Sequence, residues 1–328
     1  MITLSELRQN ILTREWVLYA ENRKKRPYDF VRNVCPRDSH TEECPFCGGN
    51  EQRTTEALYQ DGENGDWSIR VFPNRFPAVT EQEEPLKEEG FYTNVVGKGR
   101  HEVLVDTPEH EGTIENFTTE HLKKVLVVLQ ERYLDIRKGE MVRYVQIFKN
   151  CGSEAGMSLR HSHWQIIGLP VVSGRAEAYS RVAADYEKET EHCIFCDMIE
   201  VERKENNRLI RETDTFFAFA PYASRFPYEI WIAPKEHVSY YGQFSEKNLG
   251  ELSELLKDML LKVKQIQENV SYNICFMDAP KGEIQGSFHW YVQILPRIGG
   301  FAGFEYATDI CINPVLPETA AAFFKSLI

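Results

Sequence analysis

The chain carries His161-Ser162-His163-Trp164-Gln165, a segment in which two histidines and a glutamine alternate with other residues. Side chains at alternate positions of a β-strand point to the same face. The apolar residues up to Leu169 and the stop at Pro170 are typical of a strand. The sequence therefore predicts a strand that presents two imidazoles and one amide on a single surface, where such groups can bind a metal, attack a phosphate and stabilise displaced charge.

The same pattern returns near the end of the chain, where His289 and Gln293 repeat the spacing of His161 and Gln165. Several matches in one order indicate an internal duplication. We expect a catalytic domain over residues 1–172 and a degenerate copy over residues 173–328, with a linker at about 171–192. The other matching segments are Cys44-Pro45-Phe46-Cys47 with Cys193-Ile194-Phe195-Cys196, Arg75-Phe76-Pro77 with Arg225-Phe226-Pro227, Phe117-Thr118 with Phe244-Ser245, and Tyr144 with Tyr272.

Each copy is predicted to contain a CxxC turn, several strands, one amphipathic helix and two final strands. The first helix is expected after Thr118 and Thr119, and the second after Ser245, because hydroxyl side chains at these positions cap a helix start. The order of elements shows no βαβ alternation. The predicted fold class is therefore α+β, with two tandem domains that each combine an antiparallel sheet, a helix and a Cys2His2 metal site.

Composition narrows the class of protein. Of the 328 residues, 42% are hydrophobic and 27% are charged, which is typical of an ordinary globular protein. The net charge of -12 argues against broad nucleic-acid binding. No apolar run approaches the roughly 20 residues of a membrane span, and the first residues do not resemble a signal peptide. We expect a cytoplasmic location, where the eight cysteines stay reduced.

The two CxxC pairs are predicted to bind metal. Two cysteines separated by two residues direct both sulfurs at one tetrahedral ion, and two imidazoles complete a closed shell. The separation between the two histidines is almost the same in both copies. Because zinc suits this mixture of ligands, the sequence predicts two Zn²⁺ ions per chain with structural roles. Buried thiols beside unrelated histidines are the alternative. The predicted ligands are Cys44, Cys47, His110 and His161 in the first copy, and Cys193, Cys196, His237 and His289 in the second.

The segment from Asn150 to Ser158 precedes the paired histidines and is rich in small residues, which let backbone N–H groups approach an anion. A polar surface loop is the alternative. Because this loop returns to His163, we predict that His163 is the nucleophile toward phosphorus, since His161 is assigned to the metal. A structural histidine beside the zinc is the other interpretation.

Gln165 can donate a hydrogen bond to a phosphate oxygen but cannot act as a general acid. This residue therefore favours transfer between two phosphate groups over hydrolysis. In the second copy, Tyr291 corresponds to His163 and Asp278 to Asn150, so that copy is expected to be a scaffold.

With these motifs, the chain resembles the galactose-1-phosphate uridylyltransferase family of the histidine triad superfamily, which includes ADP-glucose phosphorylase-like members. The resemblance covers nearly the full length, and His-x-His-x-Gln with its preceding loop is its most specific part. Ser162, where uridylyltransferases commonly have proline, and the second CxxC site match the phosphorylase branch. The similar segments are residues 12–17, 23–27, 44–47, 72–77, 101–110, 144–165 and 303–305.

The resemblance implies a ping-pong reaction in a homodimer, with a nucleotide sugar and a sugar phosphate as substrates. His163 attacks the α-phosphate, and a second phosphate group then removes the nucleotide. Arg23 and Arg26 match arginines that approach the acceptor across a dimer interface, although a solvated basic run is an equal alternative. By position, the residues implied in holding the phosphates are Asn150, Gly156, Ser158 and Gln165, with Asn74 close to the nucleoside.

Several functions stay open at the level of sequence. A UDP-sugar is the default donor, and phosphorolysis of ADP-glucose, with inorganic phosphate as the acceptor, is close behind. A nucleotide hydrolase and a non-catalytic, zinc-stabilised nucleotide-binding protein are alternatives from other classes. Arg160 and Trp164, bulky residues near His163, leave the base and the acceptor undecided, and either zinc or iron is compatible with the second site.

Overall fold

The computed structural model describes residues 5–21, 23, 42–62, 66–81, 91–282 and 286–327. In these ranges the chain combines antiparallel strands with helices, so the predicted α+β class is confirmed. Among the helices of the described ranges, none has the length and apolar character needed to cross a membrane.

Ten strands of the described residues form one large sheet. From edge to edge its order is β3, β4, β5, β7, β6, β11, β12, β10, β9 and β8, and neighbouring strands run antiparallel. The strands are β3 (Tyr59–Gln60), β4 (Arg70–Pro73), β5 (Arg100–Val105), β6 (Tyr144–Cys151), β7 (His163–Leu169), β8 (Leu209–Glu212), β9 (Phe216–Phe219), β10 (Ile230–Pro234), β11 (Tyr272–Met277) and β12 (Tyr291–Pro296).

The strand order is mirrored about the centre of this sheet. Strands β3 to β7 come from the first half of the sequence, and β8 to β12 repeat their arrangement in the second half. The central strands β6 and β11 pair directly, with Tyr272 opposite Cys151 and Cys275 opposite Phe148. The expectation of one sheet for each copy is therefore corrected, because the backbone hydrogen bonds of this central pair join both halves into one sheet.

Six helices lie in the described ranges, and the two predicted amphipathic helices are confirmed. Thr118 caps the first of them by accepting a hydrogen bond from the His121 N–H, and Ser245 caps the other through the Asn248 N–H. Most of the segment expected to be a linker forms a helix, with Tyr179 buried against the second half. The helices are α1 (Thr119–Arg137), α2 (Gly174–Thr190), α3 (Ile194–Glu205), α4 (Glu246–Val263), α5 (Gly303–Thr308) and α6 (Pro317–Ser326).

The two faces of the large sheet are covered differently. Helices α1 and α4 pack on one face, and Trp164 and Ile166 of β7 point into that core. Because side chains alternate along a strand, His163 and Gln165 lie on the opposite face. On that face, α2 and α3 cover the second half, whereas the first half holds a small cluster around the first CxxC pair. In the first half, the face of the sheet that carries His163 and Gln165 is thus available for a site.

A small sheet joins the two ends of the chain. Arg8 in its first strand pairs with Glu318 of α6, which also accepts from Arg208, so the ion pairs connect the amino-terminal strand to the second half. Its three strands are β1 (Glu6–Gln9), β2 (Trp16–Tyr19) and β13 (Cys311–Asn313), with β13 parallel to β2.

Candidate active site and metal clusters

His163 is the first residue of β7, and only 6% of its surface is exposed. The strand begins two residues later than the sequence pattern suggested, so His161 lies just before it. His163 Nδ1 donates a hydrogen bond of 2.7 Å to the carbonyl oxygen of His161. In the neutral ring the lone pair is then on Nε2, the nitrogen that a nucleophile needs. Burial lowers the pKa of His163 to about 4, which keeps the imidazole neutral at pH 7.

A buried ion pair supports the backbone of His163 from the other face of the sheet. Lys149 Nζ donates to Asp106 Oδ2 at 2.9 Å, to Ser162 Oγ at 2.7 Å and to the His163 carbonyl at 3.1 Å. The Trp164 indole also donates to Asp106. These bonds compensate for the desolvation of the two charges and hold the start of β7 in place. They also explain Ser162, whose hydroxyl accepts from the lysine where a proline would offer no group.

The loop between β6 and His161 has the backbone that its glycines predict. Gly152 and Gly156 have φ angles of +87° and +80°, a region that favours glycine, and they flank a short turn over residues 153–155. A Cβ atom on Gly156 would meet open space, whereas one on Gly152 would collide with the Ser271 hydroxyl. Gly156 and Ser158 are exposed, and Asn150 at the end of β6 is half-buried. The loop therefore offers accessible backbone and side-chain donors close in sequence to His163.

Gln165 is oriented by His101, a residue that the sequence analysis did not select. The Ala78 N–H donates to His101 Nδ1 at 3.1 Å, so Nδ1 is an acceptor and the neutral ring carries its proton on Nε2. His101 Nε2 then donates to Gln165 Oε1 at 2.9 Å, which leaves the NH2 group of Gln165 for another acceptor. Asn74 Nδ2 lies 3.1 Å from the same ring nitrogen, so the predicted residues Asn74 and Gln165 meet at His101.

The first metal cluster is brought together as predicted. Cys44, Cys47, His110 and His161 place one ligand atom each within 4.8 Å of all the others. Three S–N separations are 3.3 to 3.6 Å, and a tetrahedral zinc ion requires an S–N edge of about 3.6 Å. Burial and the neighbouring Cys44 raise the pKa of the Cys47 thiol, and a bound cation would favour its thiolate form.

The ring of His161 is oriented by a bond outside this cluster. Its Nε2 donates to the Thr107 carbonyl at 2.6 Å, which leaves the Nδ1 lone pair directed at the two sulfurs. The four donors, their spacing and the hydrogen bond from His161 to Thr107 all fit a closed zinc shell.

The second cluster contains three of its four predicted ligands. Cys193, Cys196 and His237 converge, and His237 Nδ1 lies 3.6 Å from the Cys196 sulfur. The nitrogens of His289 are not among these converging ligand atoms, although its ring centroid lies 5.3 Å from that of His237, so His289 stays a predicted fourth ligand. Its ring stacks on Phe195 with centroids 4.5 Å apart, and its Nδ1 lies 3.0 Å from the Trp290 carbonyl. Nδ1, the nitrogen that faces the two sulfurs in His161, therefore faces the Trp290 carbonyl in His289.

One of the two predicted acceptor-binding arginines, Arg23, lies among the described residues. Arg23 follows β2, where its N–H donates to the Ala20 carbonyl, and Arg26 lies outside the described residues.

Comparisons with known proteins agree with this geometry. A family model described as galactose-1-phosphate uridyl transferase, N-terminal domain, matches residues 1–199, and a family of unknown function matches residues 105–324. ADP-glucose phosphorylase from Arabidopsis thaliana is 33% identical over 98% of this chain and 93% of its own length. Galactose-1-phosphate uridylyltransferase from Thermotoga maritima is 32% identical, with 97% of each chain covered.

The chain belongs to the galactose-1-phosphate uridylyltransferase family.

The structural comparison supports this membership over the whole length. The crystal structure of an Arabidopsis thaliana ADP-glucose phosphorylase with bound ADP-glucose has a TM-score of 0.85 and 31% identity, and the match covers 99% of both chains. The reaction class of the uridylyltransferase family is nucleotidyl transfer, and this chain is an enzyme of that class. The resemblance stated from the sequence motifs is thereby confirmed.

The second half of this uridylyltransferase-family chain keeps Gln293 but has a tyrosine at the position of the nucleophile. Tyr291 begins β12 at the position that His163 has in β7, and its ring is buried among Tyr179, Phe195 and Trp231. The hydroxyl has a pKa well above its usual range because of burial, so it is not a nucleophile at neutral pH. Helices α2 and α3 fill the space that stays accessible in the first half.

We expect the His101→Phe variant to slow nucleotidyl transfer roughly 10- to 100-fold, because phenylalanine keeps the ring volume but leaves Gln165 without its orienting donor. The rate of the first half-reaction, measured by rapid quench, checks this expectation. Since His101 acts through Gln165, the Gln165→Ala variant should lose at least as much. A His101→Phe enzyme with wild-type rates beside a slow Gln165→Ala enzyme would contradict the assigned role.

Proposed function

We propose that this chain moves a nucleoside monophosphate between a nucleotide sugar and a phosphate acceptor such as a hexose 1-phosphate. The reaction is ping-pong and passes through nucleotidyl-His163. The observation that carries this proposal is the buried, neutral imidazole of His163, whose Nδ1 is fixed by the His161 carbonyl so that Nε2 holds the lone pair. The loop over residues 150–158, called the anion loop below, lies close to His163 in sequence and supports the proposal.

In the first step, His163 Nε2 attacks the α-phosphorus of the nucleotide sugar and forms a P–N bond. The P–O bond to the sugar phosphate breaks, and the sugar 1-phosphate leaves with the electron pair. In the second step, a phosphate oxygen of the acceptor attacks the same phosphorus, and the P–N bond breaks to restore the neutral imidazole. A phosphate leaving group needs little protonation, which agrees with Gln165 in place of a general acid.

The phosphates are held by donors rather than by charge in this proposal. Asn150 and Gln165 present NH2 groups, while Gly156 and Ser158 supply backbone and hydroxyl donors from the exposed loop. Such donors stabilise the charge that develops on the transferred phosphorus. Arg23 and Arg26 are proposed to approach the acceptor from the partner subunit of a homodimer.

A base-stacking position is supported by the internal duplication. Phe226 of the second half stacks on Phe301, with ring centroids 5.5 Å apart and planes within 16°. Its counterpart in the first half, Phe76, is 82% exposed and follows Asn74 by two residues. We infer that the nucleoside base packs against Phe76, in the place that Phe301 takes against Phe226, and that Asn74 contacts the nucleoside.

Both clusters are proposed to hold Zn²⁺, with the buried first cluster as a closed structural site. A bound zinc ion supplies a rigid cross-link there between the CxxC loop and the residue that precedes β7. His289 completes the ligand shell of the second cluster only if its ring rotates against Phe195. Residues 1–172 are proposed as the catalytic unit and residues 173–328 as its degenerate copy, in a cytoplasmic enzyme.

A second candidate is the transfer of an adenylyl group from ADP-glucose to inorganic phosphate. It is favoured by the similarity to ADP-glucose phosphorylase and by Ser162, a residue that matches the phosphorylase branch. The two candidates share every step at His163 and differ in the base and in the acceptor. A hydrolase is disfavoured by Gln165, and a non-catalytic protein is disfavoured by the family membership.

Intact-mass spectrometry tests the proposal. The protein is incubated with UDP-glucose, ADP-glucose or a dinucleotide, each without acceptor. We expect one nucleotide sugar to add a single uridylyl or adenylyl group and to release one equivalent of sugar phosphate. Adding galactose 1-phosphate or inorganic phosphate should then remove the label. Continued release of sugar phosphate without acceptor indicates hydrolysis, and the absence of any adduct contradicts the proposal.

A further inference from the structure

The two halves meet beside the anion loop. Strands β6 and β11 pair across the centre of the sheet, with Asn273 of the second half directly opposite Asn150 of the first. Both side chains are half-buried and lie on the face of the sheet that carries His163 and Gln165. A residue of the degenerate half therefore sits next to a proposed phosphate donor.

The hydrogen bonds of Asn273 fix the orientation of both amides. Asn273 Nδ2 donates to the Ala155 carbonyl and to Asn150 Oδ1, each at 2.8 Å. A backbone carbonyl can only accept, so Asn273 must present its NH2 group at this point. The second proton of that group then requires an acceptor, and Asn150 must turn its oxygen toward Asn273. The NH2 group of Asn150 is left to face away from the seam, which is the junction of β6 and β11 between the two halves.

The loop depends on the second half at one further point. Gly152 packs so closely on Ser271, the residue before β11, that a Cβ atom would collide with its hydroxyl. Asn273 holds the Ala155 carbonyl in the middle of the short turn that follows. Ser271 and Asn273 of the second half thus contact both ends of the segment that connects Asn150 to Gly156.

We propose that Asn273 is a positioning residue for nucleotidyl transfer: it turns the NH2 group of Asn150 toward the phosphate and holds the anion loop through Ala155. This inference rests on the proposed function of Asn150. It gives the second half a direct part in the site of the first half. It also gives a chemical reason for an asparagine at residue 273, since aspartate offers no proton to either acceptor.

The experiment compares Asn273→Ala, Asn273→Ser and Asn273→Asp with wild-type protein. The matched control is Gln146→Ala. Gln146 also bridges the seam, because its Nε2 donates to the Phe276 carbonyl of β11 at 2.8 Å, but it does not contact the loop. Rates of nucleotidyl-His163 formation are measured with the nucleotide sugar that labels wild-type protein, and the thermal midpoint and metal content are measured for each variant.

We expect Asn273→Ala to form the adduct roughly 10- to 100-fold more slowly, since small displacements of a donor have effects of this size. Asn273→Asp should be slower still, because a carboxylate next to Asn150 Oδ1 turns the amide around. Asn273→Ser, which keeps one donor, should recover part of the rate. Gln146→Ala should keep the wild-type rate, although its thermal midpoint falls by as much as that of Asn273→Ala.

A double variant separates positioning from general destabilisation. If Asn273 acts through Asn150, the Asn150→Ala/Asn273→Ala enzyme should be no more than about threefold slower than Asn150→Ala alone. Multiplicative losses, or equal rates for Gln146→Ala and Asn273→Ala, would overturn the inference. These outcomes are distinct from failure of the proposed function, in which wild-type protein itself forms no adduct. If Asn273→Asp does not fold, the comparison of alanine with serine decides.

Discussion

Replacing His163 with glycine is expected to abolish nucleotidyl transfer, with a loss of roughly 10⁴- to 10⁶-fold in the rate of the first half-reaction. The reason is chemical: without Nε2 there is no nucleophile to form the P–N bond, and the chain offers no equivalent ring in the second half, where Tyr291 is buried and protonated. The measurement is the amount of nucleotidyl adduct by intact mass, together with release of sugar phosphate.

Two further variants make this test specific. His163→Asn keeps an NH2 group that can donate to the His161 carbonyl, so it preserves the start of β7 but lacks a nucleophile. We expect it to be as inactive as the glycine variant, with metal content and thermal midpoint close to wild type. His121→Asn is the matched control in the same half, since His121 bonds to the Asp106 carbonyl from α1. Adduct formation by either His163 variant at the rate of the control would show that another residue is the nucleophile.

Much of the fold could be predicted from residue patterns along the chain. The alternation of His163 and Gln165 with Trp164 and Ile166 predicted a strand with one polar face, and β7 has that face. Thr118 and Ser245 predicted the starts of α1 and α4 through local capping. The first metal cluster was also predictable, because CxxC spacing and two histidines restrict the ligand set before any tertiary structure is known.

The contacts that orient the site were not predictable, because they depend on which strands are neighbours. His101 reaches Gln165 only because β5 pairs with β7, and Asp106 reaches Lys149 across β7. Asn273 meets Asn150 through the pairing of β6 with β11, which joins the halves into one sheet. The duplication hinted at a symmetric arrangement, but it did not specify that the central strands pair.

The orientation of the His289 ring could not be predicted for a different reason. The spacing of His237 and His289 repeats that of His110 and His161, so the sequence predicted equivalent ligands. Spacing sets the position of a backbone but not the rotation of a ring. In the second half, the ring of His289 stacks on Phe195 and its Nδ1 lies 3.0 Å from the Trp290 carbonyl, whereas His161 presents Nδ1 to the two sulfurs.

Loss of the first metal cluster is expected to have the second largest effect. In the Cys47→Ser variant, we expect one metal ion fewer per chain, a thermal midpoint lower by more than about 10 °C and no measurable transfer. Cys47 lies within 3.6 Å of both histidine ligands and is buried, so its loss removes the cross-link that fixes His161. Since the His161 carbonyl anchors His163 Nδ1, the nucleophile loses its orientation together with the metal.

The matched variant is Cys196→Ser, which changes the same position of the second CxxC pair. That cluster is more exposed than the first. It is also distant from His163, because β6, β11 and β12 lie between β7, which begins with His163, and β10, which His237 follows. We therefore expect the loss of one metal ion, a fall in the thermal midpoint of only a few degrees, and transfer reduced less than about tenfold. Metal analysis and calorimetry on both variants check the pair. If Cys196→Ser stops transfer while Cys47→Ser retains it, the cation that orients His163 lies in the second half, and the structural role of the first cluster is wrong.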